Sequence, residues 1–169
     1  MMILMNIRKE TQMGYYNNAT ICLNGHVIST YSANCQKFCS KCGKETYSNC
    51  PECNMPIHGK YEVEGVIDLT GSYNRPDYCY NCGAPYPWTK TILNNAVMLV
   101  SLEDGLDDSM KELIKTAIPA LITETPETPI AIAKYKKGIN NAGDILKNSM
   151  RQLLIDVVSE TVKKSLFPQ

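Results

Sequence analysis

Eight cysteines and two histidines carry the most recognisable chemistry in this 169-residue chain, and all ten lie between Cys22 and Cys82. They fall into four ligand pairs: Cys22 and His26 in "CLNGH", Cys39 and Cys42 in "CSKCG", Cys50 and Cys53 in "CPEC", and Cys79 and Cys82 in "CYNCG". Two residues between cysteines allow a tight turn whose thiolates converge on one ion at about 2.3 Å, and a following glycine relieves the backbone. Gly43 and Gly83 stand where that relief is needed. A catalytic zinc keeps an open position beside three protein ligands, whereas a structural one is closed by four. Eight ligands close two tetrahedral sites.

A sequential order, first pair with second and third with fourth, is favoured because each pair then closes one hairpin-like unit. An interleaved, cross-braced order uses the same eight ligands, and loop closure separates the two only weakly. Cys35 is an alternative to His26 as fourth ligand of the first site, although the Asn24-Gly25 turn presents His26 better. His58 could ligate only by displacing a well-spaced cysteine, so it reads as a surface or hydrogen-bonding histidine. Zinc is the expected ion, two per chain. Cys-x-x-Cys-Gly pairs also suit a rubredoxin-like iron centre, but only the second site offers four thiolates and the histidine of the first favours zinc.

The segments "FCSKCGKET", "NCPECNMPI" and "YCYNCGAPYPW" resemble the knuckles of the tandem zinc-ribbon families; "CLNGH" departs from that pattern by one residue and by its histidine. The order of motifs from Gly14 to about Phe167 also resembles a family of small, functionally uncharacterised bacterial proteins with a ribbon half and a helical half. That resemblance implies a bacterial source and zinc, and brings no activity with it. It also points to Met13 as an alternative start, with residues 1–13 expected as a disordered extension.

The elements that must position the ligands follow from the pattern around them. Up to Trp88 the chain runs in short Gly-, Pro-, Asn- and Tyr-rich stretches, with candidate strands at "ICL", "HVIST" and "KYEVEGVIDL". Residues 14–88 are therefore expected as a double zinc ribbon, a small β unit with rubredoxin-like knuckles. From 89 to 169 the apolar residues take helical spacing, giving a helical bundle and an α+β chain overall. Thr89 is expected to cap a helix burying Ile92, Leu93, Ala96, Val97 and Val100. Asp107 or Asp108 opens the next, which Pro119 must disturb in its last turn. Thr128-Pro129 opens a third, to about Asn140. After Gly143 and Asp144, the residues Leu146, Met150, Leu153, Leu154, Val157, Val158, Val162 and Leu166 form one stripe over some five turns. That stripe reads first as bundle core and second, in part, as an interface.

Seventeen basic and seventeen acidic residues cancel, so no global field points to nucleic acid or an anionic membrane. From Gly14 to Trp88 five basic residues face six acidic ones. Two zinc ions bound by seven thiolates and one imidazole bring that segment to about −4, a poor match to a phosphate backbone. Tyr73, Tyr78, Tyr80, Tyr86 and Trp88 could stack on single-stranded bases, but such aromatics more often complete a thin core. No apolar run approaches the roughly 18 residues of a membrane span, and "MMILMNIRKE" is wrongly flanked for a secretory signal, so a cytoplasmic protein is expected. No metalloprotease helix, nucleophile with a base, or phosphate loop stands out. The expectation is a non-catalytic zinc protein acting as an interaction or regulatory module through a protein partner or self-association of its helical half. Nucleic-acid binding is the alternative, and an enzyme with an unrecognised site a further one.

Overall fold

A computed structural model describes residues 14–33, 36–68, 71–155 and 157–168. Residues 1–13, Cys35 and Leu69, on which some of the expectations above fall, lie outside them. The chain is α+β, with short strands first and helices after, and divides into two compact units between Trp88 and Thr89.

Among its described residues the N-terminal unit holds five strands of two to five residues: β1 (Tyr15–Asn18), β2 (Thr20–Cys22), β3 (Val27–Ser29), β4 (Thr46–Tyr47) and β5 (His58–Glu62). β1 and β5 pair antiparallel with Tyr15 opposite Glu62, while β2 is the centre of a β3-β2-β4 sheet. All three residues of β2 are buried. Ile21 joins Ala19, Ile57, Tyr86 and Trp88 around the ligands Cys50 and Cys79 in one small apolar cluster. Thr20 enters it without an unsatisfied hydroxyl, because its Oγ1 meets Ser48 Oγ at 2.9 Å and Ser32 O at 2.9 Å. The strand expected over "KYEVEGVIDL" stops at Glu62. Gly65 turns the chain at φ 77°, and the Val66 N–H bonds back to Val63 O at 3.1 Å.

The helical unit follows the helical spacing, with its boundaries set by prolines and caps. Helix α1 spans Pro87–Ser101. It starts two residues before the expected Thr89, because proline needs no donor at a first turn and its φ is already helical. Asp107 caps α2 (Asp108–Ala117), accepting the Met110 N–H at 2.8 Å. Pro119 opens a separate short α3 (Pro119–Ile122). In α4 (Thr128–Ile139), Thr128 faces backwards, accepting the Thr125 N–H at 2.8 Å and thereby folding the "TPETP" linker onto the helix start. Gly138 lets α4 approach α2 closely, since a Cβ there would fall 2.3 Å from Ile114 Cγ1.

The five-turn helix expected at the end of the chain is two helices, α5 (Asp144–Leu154) and α6 (Glu160–Leu166). Ser159 makes the break: in extended conformation it accepts the Val162 N–H, the work of an N-cap. The apolar stripe survives the break. Leu146, Met150, Leu154, Val158 and Val162 are all buried in the core of this unit with Val100, Ile114, Ile118, Leu121 and Tyr135, so its first reading, as core, holds for them.

Candidate metal centres

Three of the four ligand pairs are built identically. In each, the residue after the second cysteine sits in the left-handed region, Gly43 at φ 67°, Asn54 at 59° and Gly83 at 71°. Its N–H returns to the carbonyl of the first cysteine at 2.8, 2.8 and 2.9 Å. The N–H of the first cysteine takes the carbonyl one residue further on, from Lys44, Met55 and Ala84. A bridge between the flanking residues closes each loop, Phe38 to Glu45, Asn49 to Pro56 and Tyr78 to Pro85. Asn54 shows that the position selects a left-handed backbone and that asparagine serves where glycine stands in the other two.

The Cys22/His26 pair is a different turn. Cys22 ends β2 and its N–H bonds to His26 O at 3.0 Å, with Gly25 at φ 83° between them. The His26 N–H points at Cys22 Sγ, 3.3 Å away. This turn carries Nδ1 of His26 to 3.5 Å from Cys22 Sγ and 3.6 Å from Cys39 Sγ.

The ligand atoms of Cys22, His26, Cys39 and Cys42 lie within 4.8 Å of one another, and so do those of Cys50, Cys53, Cys79 and Cys82. First pair thus meets second and third meets fourth. Cys22 and Cys42 sulfurs are 3.8 Å apart, Cys50 and Cys82 3.8 Å, and Cys53 and Cys79 3.6 Å. A disulfide would need about 2.05 Å. A tetrahedron with metal–sulfur bonds of about 2.3 Å has edges of about 3.8 Å, and one sulfur replaced by an imidazole nitrogen shortens its edges to about 3.5 Å. Both clusters therefore fit a tetrahedral ion, and they are consistent with zinc-binding sites.

Their electrostatics ask for a cation. Desolvation opposes ionisation of Cys39, but the Lys41 and Cys42 N–H groups, with Cys42 and His26 side chains, bring its thiol down to about 6. Cys79 is likewise desolvated, and the Cys82 and Asn81 N–H groups and the Cys53 and Cys82 thiols bring it down to about 6. At Cys82 the Ala84 N–H favours the thiolate, yet desolvation and the sulfurs of Cys53, Cys79 and Cys50 push it up to about 12. Burial raises Cys22 and Cys50. One thiol of a cluster ionises at the expense of its neighbours, so four thiolates coexist only around positive charge.

Sequence reading missed Arg75. Its guanidinium donates to Gly25 O at 2.9 Å, lies 5.7 Å from the Trp88 ring and pairs with Asp77 at 3.9 Å. It ties the Cys22/His26 turn to the loop before Cys79 and sets a cation near the first cluster. No local signal could have found it, because the contact spans fifty residues of chain. His58 holds no place in either cluster. It is stacked between Tyr16, at 4.1 Å, and Tyr80, at 3.8 Å. Of the five aromatics that could have stacked on bases, Tyr86 and Trp88 are buried, with Trp88 Nε1 donating to Pro76 O at 2.9 Å, and Tyr73 packs against the same cluster.

Among the described residues no helix is long and apolar enough to cross a membrane. No curated protein and no solved structure matches the chain. Residues 15–166, which include both clusters and all but the edges of the two units, match one family model, and the chain belongs to the family described as "Uncharacterized protein conserved in bacteria (DUF2321)".

Proposed function

We propose that this chain is a non-catalytic interaction module whose N-terminal unit is held by two structural zinc ions and whose helical unit offers a docking face to a protein partner or a second copy. The observation that carries the first half is closure: each cluster brings four ligand atoms together, leaving no position for a substrate. The imidazole in the first cluster favours zinc over iron, and the shared build of the other three pairs argues for one ion type in both. The ions would contribute folding free energy that so small an apolar cluster lacks.

The docking face is not the buried part of the long stripe, although Leu153, a half-buried member of it, reaches that face. It is the outer side of α1 and α5, where Met98 and Leu102 are 62% and 71% exposed and share a groove with Leu99, Leu153 and Gln152. Apolar side chains exposed side by side in this way mark interaction surfaces more often than isolated ones do. Against nucleic acid stands the charge of the zinc-loaded segment from Gly14 to Trp88, near −4 by count.

Elemental analysis of wild type beside Cys22→Ser, Cys35→Ser, Cys50→Ser and Cys79→Ser tests the ligand assignment. Two zinc ions per chain are expected, kept only in Cys35→Ser. Gel filtration with light scattering, and cross-linking in cells, test the docking face: Met98→Glu with Leu102→Glu should abolish the association. A strict monomer with no recoverable partner would overturn the interaction reading. Tight, steeply salt-dependent oligonucleotide binding would put the nucleic-acid reading in its place.

A further inference from the structure

The exposed face of the helical unit changes charge from one end to the other, and that change says what fits on it. Helices α1 and α5 line its groove together. Their chain directions are opposed there: the Glu103 carboxylate, just past the end of α1, lies 3.5 Å from where a Cβ on Gly143, at the start of α5, would stand. The apolar strip is longer than the groove. Ile145 is 84% exposed and stands one turn before Ser149 on the same side of α5, so it extends the strip of Met98, Leu102 and Leu153 toward the Glu103 end.

The groove lining carries no charge, and charge gathers at its two ends. At the Glu103 end the carboxylates of Glu103, Asp104, Asp107, Asp108 and Asp144 outnumber two ammonium groups, Lys111, which donates to Ser101 O at 3.4 Å, and Lys147. At the other end of α5 the cations win. Arg151 shares a cleft with Lys163, Lys164 and a single carboxylate, Glu160, which is held by Lys163 at 2.9 Å. Among the described residues no acceptor meets the Arg151 guanidinium, whose contact is the Phe167 ring at 5.8 Å. Asp144, seven residues earlier, lies two turns back on the same flank of α5. Its carboxylate has Lys147 at 3.8 Å, and its side chain is 94% exposed.

We propose that the occupant of this face is a second copy of the chain, related by a two-fold axis that passes α5 near Asn148 and sets the two α5 helices antiparallel. An apolar strip with unlike charges at its ends is complementary to itself in that orientation and repels itself in the parallel one. The two-fold places Asp144 of each copy at Arg151 of the other, where a guanidinium takes a carboxylate with two parallel hydrogen bonds. It also lays the Ile145 end of one apolar strip on the Leu153 end of the other. The assignment rests on the reading of this face as a docking surface, and it names the occupant.

Sedimentation velocity with light scattering on the zinc-loaded full chain tests it by charge reversal. Asp144→Arg and Arg151→Asp should each weaken self-association at least tenfold, since either sets like charges face to face twice in the dimer. An equimolar mixture of the two variants should associate again, one copy of each per complex, because one then carries two cations and the other two carboxylates at these positions. Circular dichroism at 222 nm verifies that each variant keeps its helices. Ile145→Arg, at a solvated position outside the core, serves should a reversal fail to fold, and should also weaken the association. Self-association that both reversals leave unchanged, or that their mixture does not recover, overturns the antiparallel pair. A monomeric wild type whose cross-linked partner in cells is lost with Met98→Glu and Leu102→Glu overturns the second copy as occupant and leaves the interaction reading standing. A monomer with no such partner overturns both.

Discussion

The two units solve the same problem of small size by different means. Among the described residues the helical unit gathers fifteen buried residues into one apolar cluster, all of them from hydrophobic side chains. The N-terminal unit gathers seven, and two of those are the ligands Cys50 and Cys79. Its strands run two to five residues, too short for their ladders to hold alone. On the proposed reading the helical unit is held by burial, which acts from many small contributions, and the N-terminal unit by coordination, which acts from two points. Single substitutions should therefore be graded in one unit and all-or-none in the other.

Metal removal is the largest expected effect and separates the units directly. The chain has one tryptophan, Trp88, and it is 1% exposed in the N-terminal cluster. Its fluorescence reports that unit, while far-UV circular dichroism at 222 nm reports the helices. A strong chelator, or Cys79→Ser, should red-shift Trp88 emission and leave the helical signal largely in place, because structural zinc contributes on the order of 10 kcal/mol to such folds. Loss of both signals together would mean that burial alone does not hold the helical unit.

The converse substitution comes next. Leu154 is fully buried in the helical core, and Leu154→Ala should cost about 2–5 kcal/mol there through lost contacts and a cavity. Thermal melting followed at 222 nm should show it. Zinc content and Trp88 emission should not change; their loss would contradict the division into two separately held units.

Arg75 probes the boundary between the two modes, since it brings a side-chain hydrogen bond to the turn of the Cys22/His26 candidate ligand pair. Arg75→Met should cost about 1.5–3 kcal/mol, the range for a hydrogen bond to a charged group. The cost should fall on one site. With cobalt in place of zinc, the three-sulfur, one-nitrogen centre absorbs differently from the four-sulfur centre, and only the former should weaken its hold. An equal loss at both would show that Arg75 acts on the whole unit through Trp88.

What the sequence made legible follows the same division. Ligand pairs are local, with two or three residues between partners, so their spacing announced them, and the left-handed turn after two of the pairs was readable as Gly43 and Gly83. The helical core was readable from the period of Leu146, Met150 and Leu154. Contacts made across the chain were not. Arg75 reaches Gly25, and His58 stacks between Tyr16 and Tyr80, through neighbours that no spacing rule brings together. The break before α6 was hidden for another reason: the apolar stripe continues across it, and Ser159 outweighs periodicity only because its hydroxyl captures the Val162 N–H.

The smallest expected effect tests whether the knuckles are set by backbone or by side chain. At Gly43 a Cβ would meet nothing within 4 Å, so substitution there is opposed by its φ of 67° alone. Gly43→Ala should then cost about 1–2 kcal/mol, the ordinary penalty for a left-handed residue. Gly43→Asn should cost clearly less, because Asn54 already occupies the equivalent place in the third pair at φ 59°. Competition with a chromophoric chelator measures the difference as a change in zinc affinity at the first site. If alanine and asparagine cost the same, the side chain of Asn54 contributes nothing to its turn beyond tolerating it. If asparagine is the worse of the two, the knuckles are not interchangeable, and the likeness of their hydrogen bonds understates how far each is fitted to its own ion.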